Sequence, residues 1–444
     1  LNRQINWFPS NVGDNQFNIW LENARDWNIS RDRYWGTPIP MWQEIDNSSN
    51  VIVIKNSHEL EEYCGLTIDS ITDLHRDKID NLIINYRGKS YKRIDAVLDC
   101  WFDSGCVPSY FSGSNFIPSD FIAEGLDQTR GWFYTSLVLG YIHSRYVNKI
   151  ALPSFKNVVV NGIVLAADKK KMSKRLGYYP DPNKLINECG ADALRMYLLS
   201  SPAAHGVEMA FREKEVEEMA RNAMVPYYSA INFLQMYKRV YNVSRLDIPD
   251  FGAVAHKLNK WILYKTYLLE RNVHGGYENN NFGGVINALI KFVDVLNNGY
   301  IALMRPNFKN SANISEKSQP EFYTNVCSAN ISESINTLNF VLLRLAYLFA
   351  PIAPYFAENV YSVVGSNENS IHLTQYYDFY NIFISQYESV NYDCNEIDVQ
   401  FEFLNNVRQL RAKHNHPKSK PLKELVCMCN SITETTILEE IKME

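Results

Sequence analysis

A basic pentapeptide is the stretch whose residue types most directly suggest chemistry. Lys171-Met172-Ser173-Lys174-Arg175 places two lysines three residues apart around a serine, after an apolar, β-branched run and a polar turn. Each ammonium can follow a moving phosphate as a point charge, and the hydroxyl adds a hydrogen bond. The spacing therefore favours a loop that closes over a polyphosphate. A solvated basic turn is the alternative that these five residues leave open.

A second candidate cluster lies where the pattern changes from strand to turn to helix, between residues 121 and 134. Gly125 permits close approach of the backbone, and the first amides of the helix point at whatever lies over the turn. Glu124, Asp127 and Gln128 place groups there that suit hydroxyls and an ammonium, although helix capping would explain Asp127 alone. In a doubly wound sheet ligands bind at this carboxyl end of the strands. We therefore expect a binding site here.

The elements around these clusters predict an α/β region followed by an all-α region. Residues 43–95 read as a small α+β insertion in which we find no chemistry. Residues 99–105 are compact and apolar and read as a strand end that opens onto a pocket. From about 212 to 362 apolar residues recur at helical spacing, which predicts a bundle whose stripes form core, with a polar connection at 307–325.

A local basic cluster lies towards the carboxyl end of the sequence, on and after a helix predicted around 399–413. It consists of Arg408, Arg411, Lys413, Lys418, Lys420 and Lys423. These cations suit phosphate contact, and a solvated helix end would explain them equally well. Residues 425–429 alternate like a strand that begins a further domain.

Composition limits the class of protein. A chain of 444 residues with 46% hydrophobic and 21% charged residues is typical of a soluble protein of two to four domains. The net charge of −5 means that any nucleic-acid contact comes from local basic patches. The longest apolar run, 340–357, contains Arg344 and two prolines, which favours a buried helix over a membrane span. No Cys-x-x-Cys pair occurs, so we expect neither a zinc site nor disulfides, and a cytoplasmic, reducing location.

Five motifs, in order, resemble those of the isoleucyl-tRNA synthetases, a family of class I aminoacyl-tRNA synthetases, in its eukaryotic cytosolic branch. The matching strings are ISRDRYWGTPIPMW (29–42), DCWFDSG (99–105), DFIAEGLDQTRGWFYTSLVLG (120–140), VVVNGIVLAADKKKMSKR (158–175) and YPDPNKLINECGADALRMYLLSSP (179–202). The resemblance implies the C-terminal half of a Rossmann-like catalytic domain over 1–200, with a connective insertion at 43–95. It also implies a helical anticodon-binding domain over 201–390, and a helix with the start of an α/β domain over 391–444.

The same resemblance implies ATP-dependent activation of L-isoleucine to isoleucyl-adenylate and transfer to tRNA(Ile), with Mg²⁺ accompanying ATP and no metal bound by the protein itself. Lys171 and Lys174 would stabilise the leaving pyrophosphate. The implied ATP-binding residues are Gly162, Met172, Ser173 and Lys174. Those implied to hold the aminoacyl-adenylate are Trp101, Glu124, Gly125, Asp127, Gln128 and Trp132. Arg408, Arg411, Lys413, Lys418 and Lys420 would contact tRNA.

The sequence departs from the family in three places. The His-x-Gly-His signature is missing, and so is the large inserted editing domain. Lys169 stands where the turn before the lysine motif usually carries a glycine. We therefore expect a C-terminal-side fragment that is inactive by itself. A tRNA-binding module without catalysis, or a valyl or leucyl paralogue, remains as an alternative, and membership of a multi-synthetase complex is not readable from the sequence.

Overall fold

The structure is a computed structural model with two compact units. It describes residues 1–111, 115–173, 180–242, 249–314, 321–365, 370–374, 381, 384–385, 387–388, 390, 392–417 and 420. Leu1–Leu165 and Pro202–Met209 form one unit, which we call the strand unit. Ala166–Ser201 and Ala210–Glu444 form the other, which we call the helical unit.

The strand unit contains most of the described strands. In chain order its strands are β1 (Asn6–Phe8), β2 (Ser30–Arg31), β3 (Met41–Glu44), β4 (Val51–Val53), β5 (Ile83–Tyr86), β6 (Lys89–Arg93), β7 (Val97–Leu98), β8 (Ser119–Gly125), β9 (Phe155–Asn161) and β10 (Val164–Leu165). Its helices are α1 (Asn18–Glu22), α2 (Ser57–Cys64), α3 (Arg76–Ile79), α4 (Cys100–Gly105), α5 (Val107–Phe111) and α6 (Trp132–Val147). Strand β11 (Met209–Ala210) lies at the border between the units.

A parallel sheet positions the candidate site in the strand unit. Its strand order is β1-β9-β8. Val158 of β9 lies opposite Trp7 of β1 on one side and opposite Ile122 of β8 on the other. The β-branched run in β9 is buried because both of its neighbours are strands and α6 packs on the sheet. Since all three strands run in the same direction, Gly125 and Asn161 end at the same edge. That edge is where a parallel sheet offers its ligand site.

Residues 43–95 form the predicted α+β insertion. Four antiparallel strands pair in the order β4-β3-β6-β5, and α2 packs on β5. Trp42, Leu60 and Ile84 belong to a small separate core between them. Helix α2 begins because the Asn56 side chain accepts the Glu59 amide at 2.8 Å.

The helical unit is the predicted bundle. Its helices are α7 (Pro182–Cys189), α8 (Ala191–Ser200), α9 (Glu213–Met219), α10 (Val225–Val240), α11 (Lys257–Glu278), α12 (Phe282–Asp294), α13 (Ala302–Ile314), α14 (Glu321–Phe349), α15 (Pro354–Val364) and α16 (Asn395–Lys413). One continuous core joins α10, α11, α12 and α14. Inside it Arg344 donates to both Glu270 oxygens, at 2.5 and 2.7 Å. None of the described helices is long and apolar enough to cross a membrane.

Two predictions about elements were wrong. Residues 99–105 are not a strand end but the short helix α4, because the Asp99 side chain accepts the Trp101 amide at 3.2 Å and caps it. The predicted polar connection at 307–325 is largely helical, since α13 continues to Ile314 and α14 begins at Glu321. Buried Met304 and Phe308 lie four residues apart and anchor α13 to the core. The strand predicted at 425–429 lies outside the described residues.

Candidate active site

The turn after β8 brings the predicted carboxylates together. Strand β8 ends at Gly125, a 3₁₀ turn runs over Leu126–Arg130, and α6 starts at Trp132. The side chains of Glu124 and Asp127 are both exposed. A Cβ at position 125 would lie 2.5 Å from Asp127 Oδ1, so glycine lets that carboxylate fold back over the strand end. Two anionic groups therefore face solvent at the carboxyl end of the sheet, where they can accept hydrogen bonds from hydroxyl or ammonium groups.

Gln128 holds this turn in one conformation. Its Nε2 donates to Asp127 Oδ2 at 2.9 Å, and its Oε1 accepts the Trp132 amide at 3.0 Å. The amide group thereby caps the first turn of α6 and orients the neighbouring carboxylate. A Cβ at Gly131 would lie 2.6 Å from the same Oε1. Contacts within the turn thus hold the side chains of Asp127 and Gln128 in place.

Two tryptophans stand beside this turn. Trp132 is half-buried, and its Nε1 donates to the Ser104 carbonyl at 2.7 Å, which ties α6 to α4. The Trp101 ring, which is 40% exposed, comes within 3.7 Å of the position that a Cβ at Gly131 would take. Both indoles provide apolar surface next to polar Gln128. An aliphatic side chain with a polar head fits such an arrangement.

A cavity of about 600 Å³ opens next to Trp101. Among the residues that line it are Arg31, Trp35, His75 and Asp99, with the Trp35 and His75 rings stacked at 4.5 Å. Sequence reasoning assigned no site role to these residues. The only signal for them was that ISRDRYWG and DCWFDSG both belong to the motifs of the resemblance.

Asp99 is the buried anion of this cavity, with 4% of its surface exposed. It accepts Trp27 Nε1 at 2.9 Å and the Trp101 amide, and it pairs with the Arg31 guanidinium. Burial raises its pKa, but these hydrogen bonds and the positive charge of Arg31 outweigh burial and hold the pKa below its usual value. The carboxylate therefore stays ionised and keeps α4, with Trp101, in place.

The segment before the lysine motif forms a tight turn in the helical unit. The Ala166 amide donates to the Lys170 carbonyl at 2.9 Å, and the Lys169 amide donates to the Ala166 carbonyl at 2.8 Å. Lys169 closes this turn with a φ of 64°, a left-handed conformation that glycine adopts without strain. The Asp168 side chain pairs with Lys170 at 3.0 Å. The departure from glycine noted in the sequence thus coincides with backbone strain.

The lysine motif itself is described only in part. Lys171 is exposed, while Met172 and Ser173 are half-buried. Lys174 is the second lysine predicted to stabilise pyrophosphate, and Arg175 is the last residue of the motif. Both lie outside the described residues. The segment belongs to the helical unit, whereas the turn at 124–132 belongs to the strand unit.

Gly162, predicted to approach ATP, has a packing role in the structure. A Cβ there would lie 2.1 Å from the Val207 carbonyl oxygen, and the Gly162 amide donates to the Ala203 carbonyl at 2.7 Å. Residues 202–207 therefore lie directly against the end of β9. The neighbour of this glycine in the described structure is protein backbone, and its implied role in ATP binding stays a prediction.

The basic cluster at the end of α16 makes contacts of its own. Arg408 Nη1 donates to the Asn298 carbonyl at 2.7 Å. Arg411 Nη1 donates to the carbonyls of Pro417 and Lys420, at 3.2 and 2.9 Å. Lys413 is exposed, and Lys418 lies outside the described residues. Arg408 thus joins α16 to the backbone at Asn298, and Arg411 holds the backbone that follows α16, while both guanidinium groups carry positive charge that a phosphate could meet.

Comparison with protein families gives the class of the chain. The family model described as tRNA synthetases class I (I, L, M and V) matches residues 1–210. The model described as anticodon-binding domain of tRNA ligase matches residues 259–426. The chain therefore contains part of a Rossmann-like catalytic domain of the class I aminoacyl-tRNA synthetases, followed by a helical anticodon-binding region.

Its curated relatives include isoleucine–tRNA ligases. The chain is 36% identical to the probable cytoplasmic isoleucine–tRNA ligase of Enterocytozoon bieneusi, over 97% of this chain and 43% of that protein. It is 38% identical to the isoleucine–tRNA ligase of Chlamydia muridarum, over 84% of this chain and 35% of that protein. The chain thus spans less than half the length of these relatives.

Solved structures agree in fold. LeuRS of Agrobacterium radiobacter K84, in a ternary complex with tRNA and LeuAMS, superposes with a TM-score of 0.56 at 19% identity, over 81% of this chain and 44% of that one. Mycobacterium tuberculosis methionyl-tRNA synthetase with methionyl-adenylate gives a TM-score of 0.53 at 16% identity, over 83% of this chain and 60% of that one. The predicted fold class is confirmed.

Proposed function

We propose that the chain is part of an isoleucine–tRNA ligase, which activates L-isoleucine with ATP and transfers it to tRNA(Ile). The observation that carries this proposal is the ordered turn after β8, with two indoles beside it. An aliphatic amino acid needs an apolar wall for its side chain and anionic or amide oxygens for its ammonium. Trp101 and Trp132 supply the wall, and Glu124, Asp127 and Gln128 supply the oxygens.

The proposed mechanism uses positioning and electrostatics without a covalent enzyme intermediate. The turn residues and Gly125 orient the carboxylate of isoleucine towards the α-phosphate of ATP. Lys171 and Lys174 then stabilise the charge that develops on pyrophosphate as it leaves, with Met172 and Ser173 shaping their loop. Gly162 supports this edge of the sheet by holding residues 202–207 against β9.

Mg²⁺ is proposed to arrive with the ATP phosphates. Among the described residues no group of three or more His, Cys, Asp or Glu side chains could hold a metal ion.

The helical unit is proposed to bind the anticodon arm of tRNA(Ile). The match of residues 259–426 to an anticodon-binding model supports this role. Lys413, Lys418 and Lys420, together with Arg408 and Arg411, would contact phosphates. A cytoplasmic location is proposed from the name of the Enterocytozoon relative.

Pyrophosphate exchange tests the function. We expect isoleucine-dependent exchange from the complete enzyme, which would extend to the full length of the relatives, and none above background from residues 1–444 alone. Lys174→Ala in the complete enzyme should lower kcat at least ~100-fold and leave isoleucine binding unchanged, because the charge acts in the transition state. Lys214→Ala, on an exposed position of α9, is the matched control.

Three results would contradict parts of the proposal. Faster exchange with valine or leucine than with isoleucine would identify a paralogue. Binding of tRNA(Ile) by a complete enzyme that catalyses no exchange would identify a tRNA-binding module. Full-rate exchange by residues 1–444 would refute the expectation that this part is inactive by itself.

A further inference from the structure

Two side chains of α11 hold the first part of α16. Trp261 Nε1 donates to Asp398 Oδ1 at 2.8 Å, and Lys265 Nζ donates to Asp398 Oδ2 at 2.7 Å. Trp261 and Lys265 lie four residues apart on α11, so they share one face of that helix. Trp261 is fully buried, and a buried indole N–H requires an acceptor. Asp398 therefore attaches α16 to α11 through both of its oxygens.

A π-helical stretch between α12 and α13, Val295–Ile301, holds the middle of α16. A Cβ at Gly299 would lie 3.1 Å from the Phe401 ring, so glycine lets that ring approach the backbone closely. The neighbouring Asn298 carbonyl accepts Arg408 Nη1 at 2.7 Å. Single turns of π-helix are rare inside α-helices and are frequent at functional sites. The stretch thus contacts α16 at two of its residues.

The π-helical stretch is itself fixed within the bundle. Asn297 Nδ2 donates to the Pro226 carbonyl at 3.0 Å, which joins the stretch to the start of α10. Tyr300 is fully buried, and its hydroxyl donates to Asn259 Oδ1 of α11 at 2.6 Å. The surface on which α16 rests is therefore held by hydrogen bonds to two other helices. We call its four contact residues the α16 seat: Trp261, Lys265, Asn298 and Gly299.

The seat fixes the direction of α16 as well as its position. Asp398 and Arg408 lie ten residues apart, which corresponds to about 15 Å along a helix. A helix that is attached at two points this far apart, with Phe401 packed between them, has little freedom to tilt. Arg411 and Lys413 follow in the last turn of the same helix. The placement of these two cations on the helical unit is therefore determined by the seat.

We propose that the α16 seat positions the cations at the end of α16, Arg408, Arg411 and Lys413, for the phosphates of tRNA. The proposal rests on the function proposed above for the helical unit. Each guanidinium or ammonium group must reach a phosphate oxygen, so phosphate contact depends on where the cations stand as well as on their number. An α16 that has left its seat keeps its charge and loses this arrangement. The seat residues act through α16 and are positioning residues.

The sign of a charge change separates positioning from charge. Asp398→Asn breaks the ion pair with Lys265 and removes a negative charge from α16, which by electrostatics alone would strengthen RNA binding. Positioning predicts the opposite, and we expect residues 1–444 to bind a labelled tRNA(Ile) transcript at least ~5-fold more weakly at constant salt, measured by fluorescence anisotropy. Glu402→Gln makes the same charge change at an exposed position of α16. This matched control should bind as tightly as the unaltered chain or slightly more tightly.

The salt dependence of binding gives a second measurement. Each phosphate contact that is lost lowers the slope of log K against log salt by about 0.9. We expect Asp398→Asn to lower the slope by about 1–2, and Glu402→Gln to leave it unchanged. Gly299→Ala places a methyl group 3.1 Å from the Phe401 ring and changes no charge. It should weaken binding about 3-fold, also with a lower slope, and it keeps the test decisive if Asp398→Asn does not fold.

Amide hydrogen exchange on residues 1–444 shows directly whether the seat holds α16. In Asp398→Asn and in Gly299→Ala we expect the amides of residues 399–413 to exchange at least ~10-fold faster. Amides of α10 are the internal reference for opening of the whole bundle. Unchanged exchange in α16 would overturn the proposal, because the seat would then not hold the helix. Equal acceleration in α10 in both variants would overturn it as well, because the bundle as a whole would have opened.

The binding results decide the functional part. Binding by Asp398→Asn that is as tight as binding by Glu402→Gln would overturn the proposal, because the position of α16 would then not matter to the RNA. In the complete enzyme, Asp398→Asn should raise KM for tRNA about 5-fold relative to KM for isoleucine, and an equal rise in both would contradict positioning. If the unaltered chain does not bind tRNA(Ile) at all, the proposed role of the helical unit fails together with this proposal. If the unaltered chain binds and the variants bind equally well, only this proposal fails.

Discussion

Replacement of Gly162 by alanine tests whether this glycine is needed for packing or for the binding of ATP. The new methyl group would lie 2.1 Å from the Val207 carbonyl oxygen and 2.4 Å from its carbon, where an ordinary contact begins at 3.4 Å. The backbone at 202–207 must therefore move away by about one ångström or more to reach van der Waals distance. Overpacking of this kind costs about 1–3 kcal/mol. Loss of the Gly162–Ala203 hydrogen bond adds about 1 kcal/mol.

A smaller opposing effect reduces the total. Alanine lowers the conformational entropy of the unfolded chain, which stabilises by about 0.4–1 kcal/mol where the backbone is compatible. We therefore expect Gly162→Ala to lower the free energy of unfolding of the strand unit by about 1–3 kcal/mol. Urea denaturation followed by tryptophan fluorescence measures it, since Trp7 lies in the core under this sheet.

A control at another glycine makes the result interpretable. Gly275 lies inside α11 with nothing within 4 Å of an added Cβ. Gly275→Ala should therefore raise stability by about 0.5–1 kcal/mol, as expected for a helix interior. If Gly162→Ala unfolds at the wild-type midpoint but weakens ATP binding in the complete enzyme, the packing argument is refuted. Gly162 would then act as the sequence predicted.

Three further changes test other parts of the structure. Lys169→Gly should relieve about 1–2 kcal/mol of left-handed strain before the lysine motif, against about 0.5–1 kcal/mol of added chain entropy, and so raise the free energy of unfolding in urea by about 0.5–1 kcal/mol; a lower midpoint would contradict this. The pKa of Asp99 is lower in the folded protein than in the unfolded chain, where it is about 3.9. Its pairing with Arg31 therefore stabilises the fold fully above that unfolded-state pKa, and this stabilisation is lost as the pH falls through the folded-state pKa. Asp99→Asn should therefore flatten stability against pH below about pH 4, and an unaltered acid profile would contradict this. Arg344→Met should cost about 3–5 kcal/mol because Glu270 is left buried without its cationic partner, whereas adding Glu270→Leu should recover most of the loss; additive losses in the double-mutant cycle would exclude coupling.

Local patterns predicted the local parts of the candidate site. The sequence over 121–134 indicated a strand, a tight turn at Gly125 and a helix, and the structure has all three. Residues 124–132 are close in sequence, so their meeting needs no tertiary information. The prediction at 99–105 failed because one capping side chain, Asp99, turned an apolar run into a helix.

Contacts between distant residues could not be predicted in this way. Asp99 meets Trp27 and Arg31 across 72 and 68 positions of sequence. Neither partner carries a periodic or spacing signal that points to the other. The contacts of Asp192 and Arg195 with the turn between α14 and α15 were missed for the same reason. In sequence the string ADALR indicates only a helix start, and the buried Phe356 amide that Asp192 caps belongs to a turn far along the chain.

The division of the chain into units has a consequence for experiments that dissect it. The polypeptide passes between the units at Leu165/Ala166, at Ser201/Pro202 and at Met209/Ala210. One protease cut at any of these junctions divides the polypeptide into two fragments, and a cut at Leu165/Ala166 leaves residues 202–209 of the strand unit on the fragment that carries the helical unit. A truncated chain that ends at residue 165 would keep β8, Trp101 and Trp132 but lose the lysine motif. A fragment that keeps the whole helical unit retains that motif. If the protein is divided into two fragments for reassembly, the division should therefore lie within the strand unit before β8, and not at Leu165/Ala166. One fragment then keeps both the turn after β8 and the lysine motif.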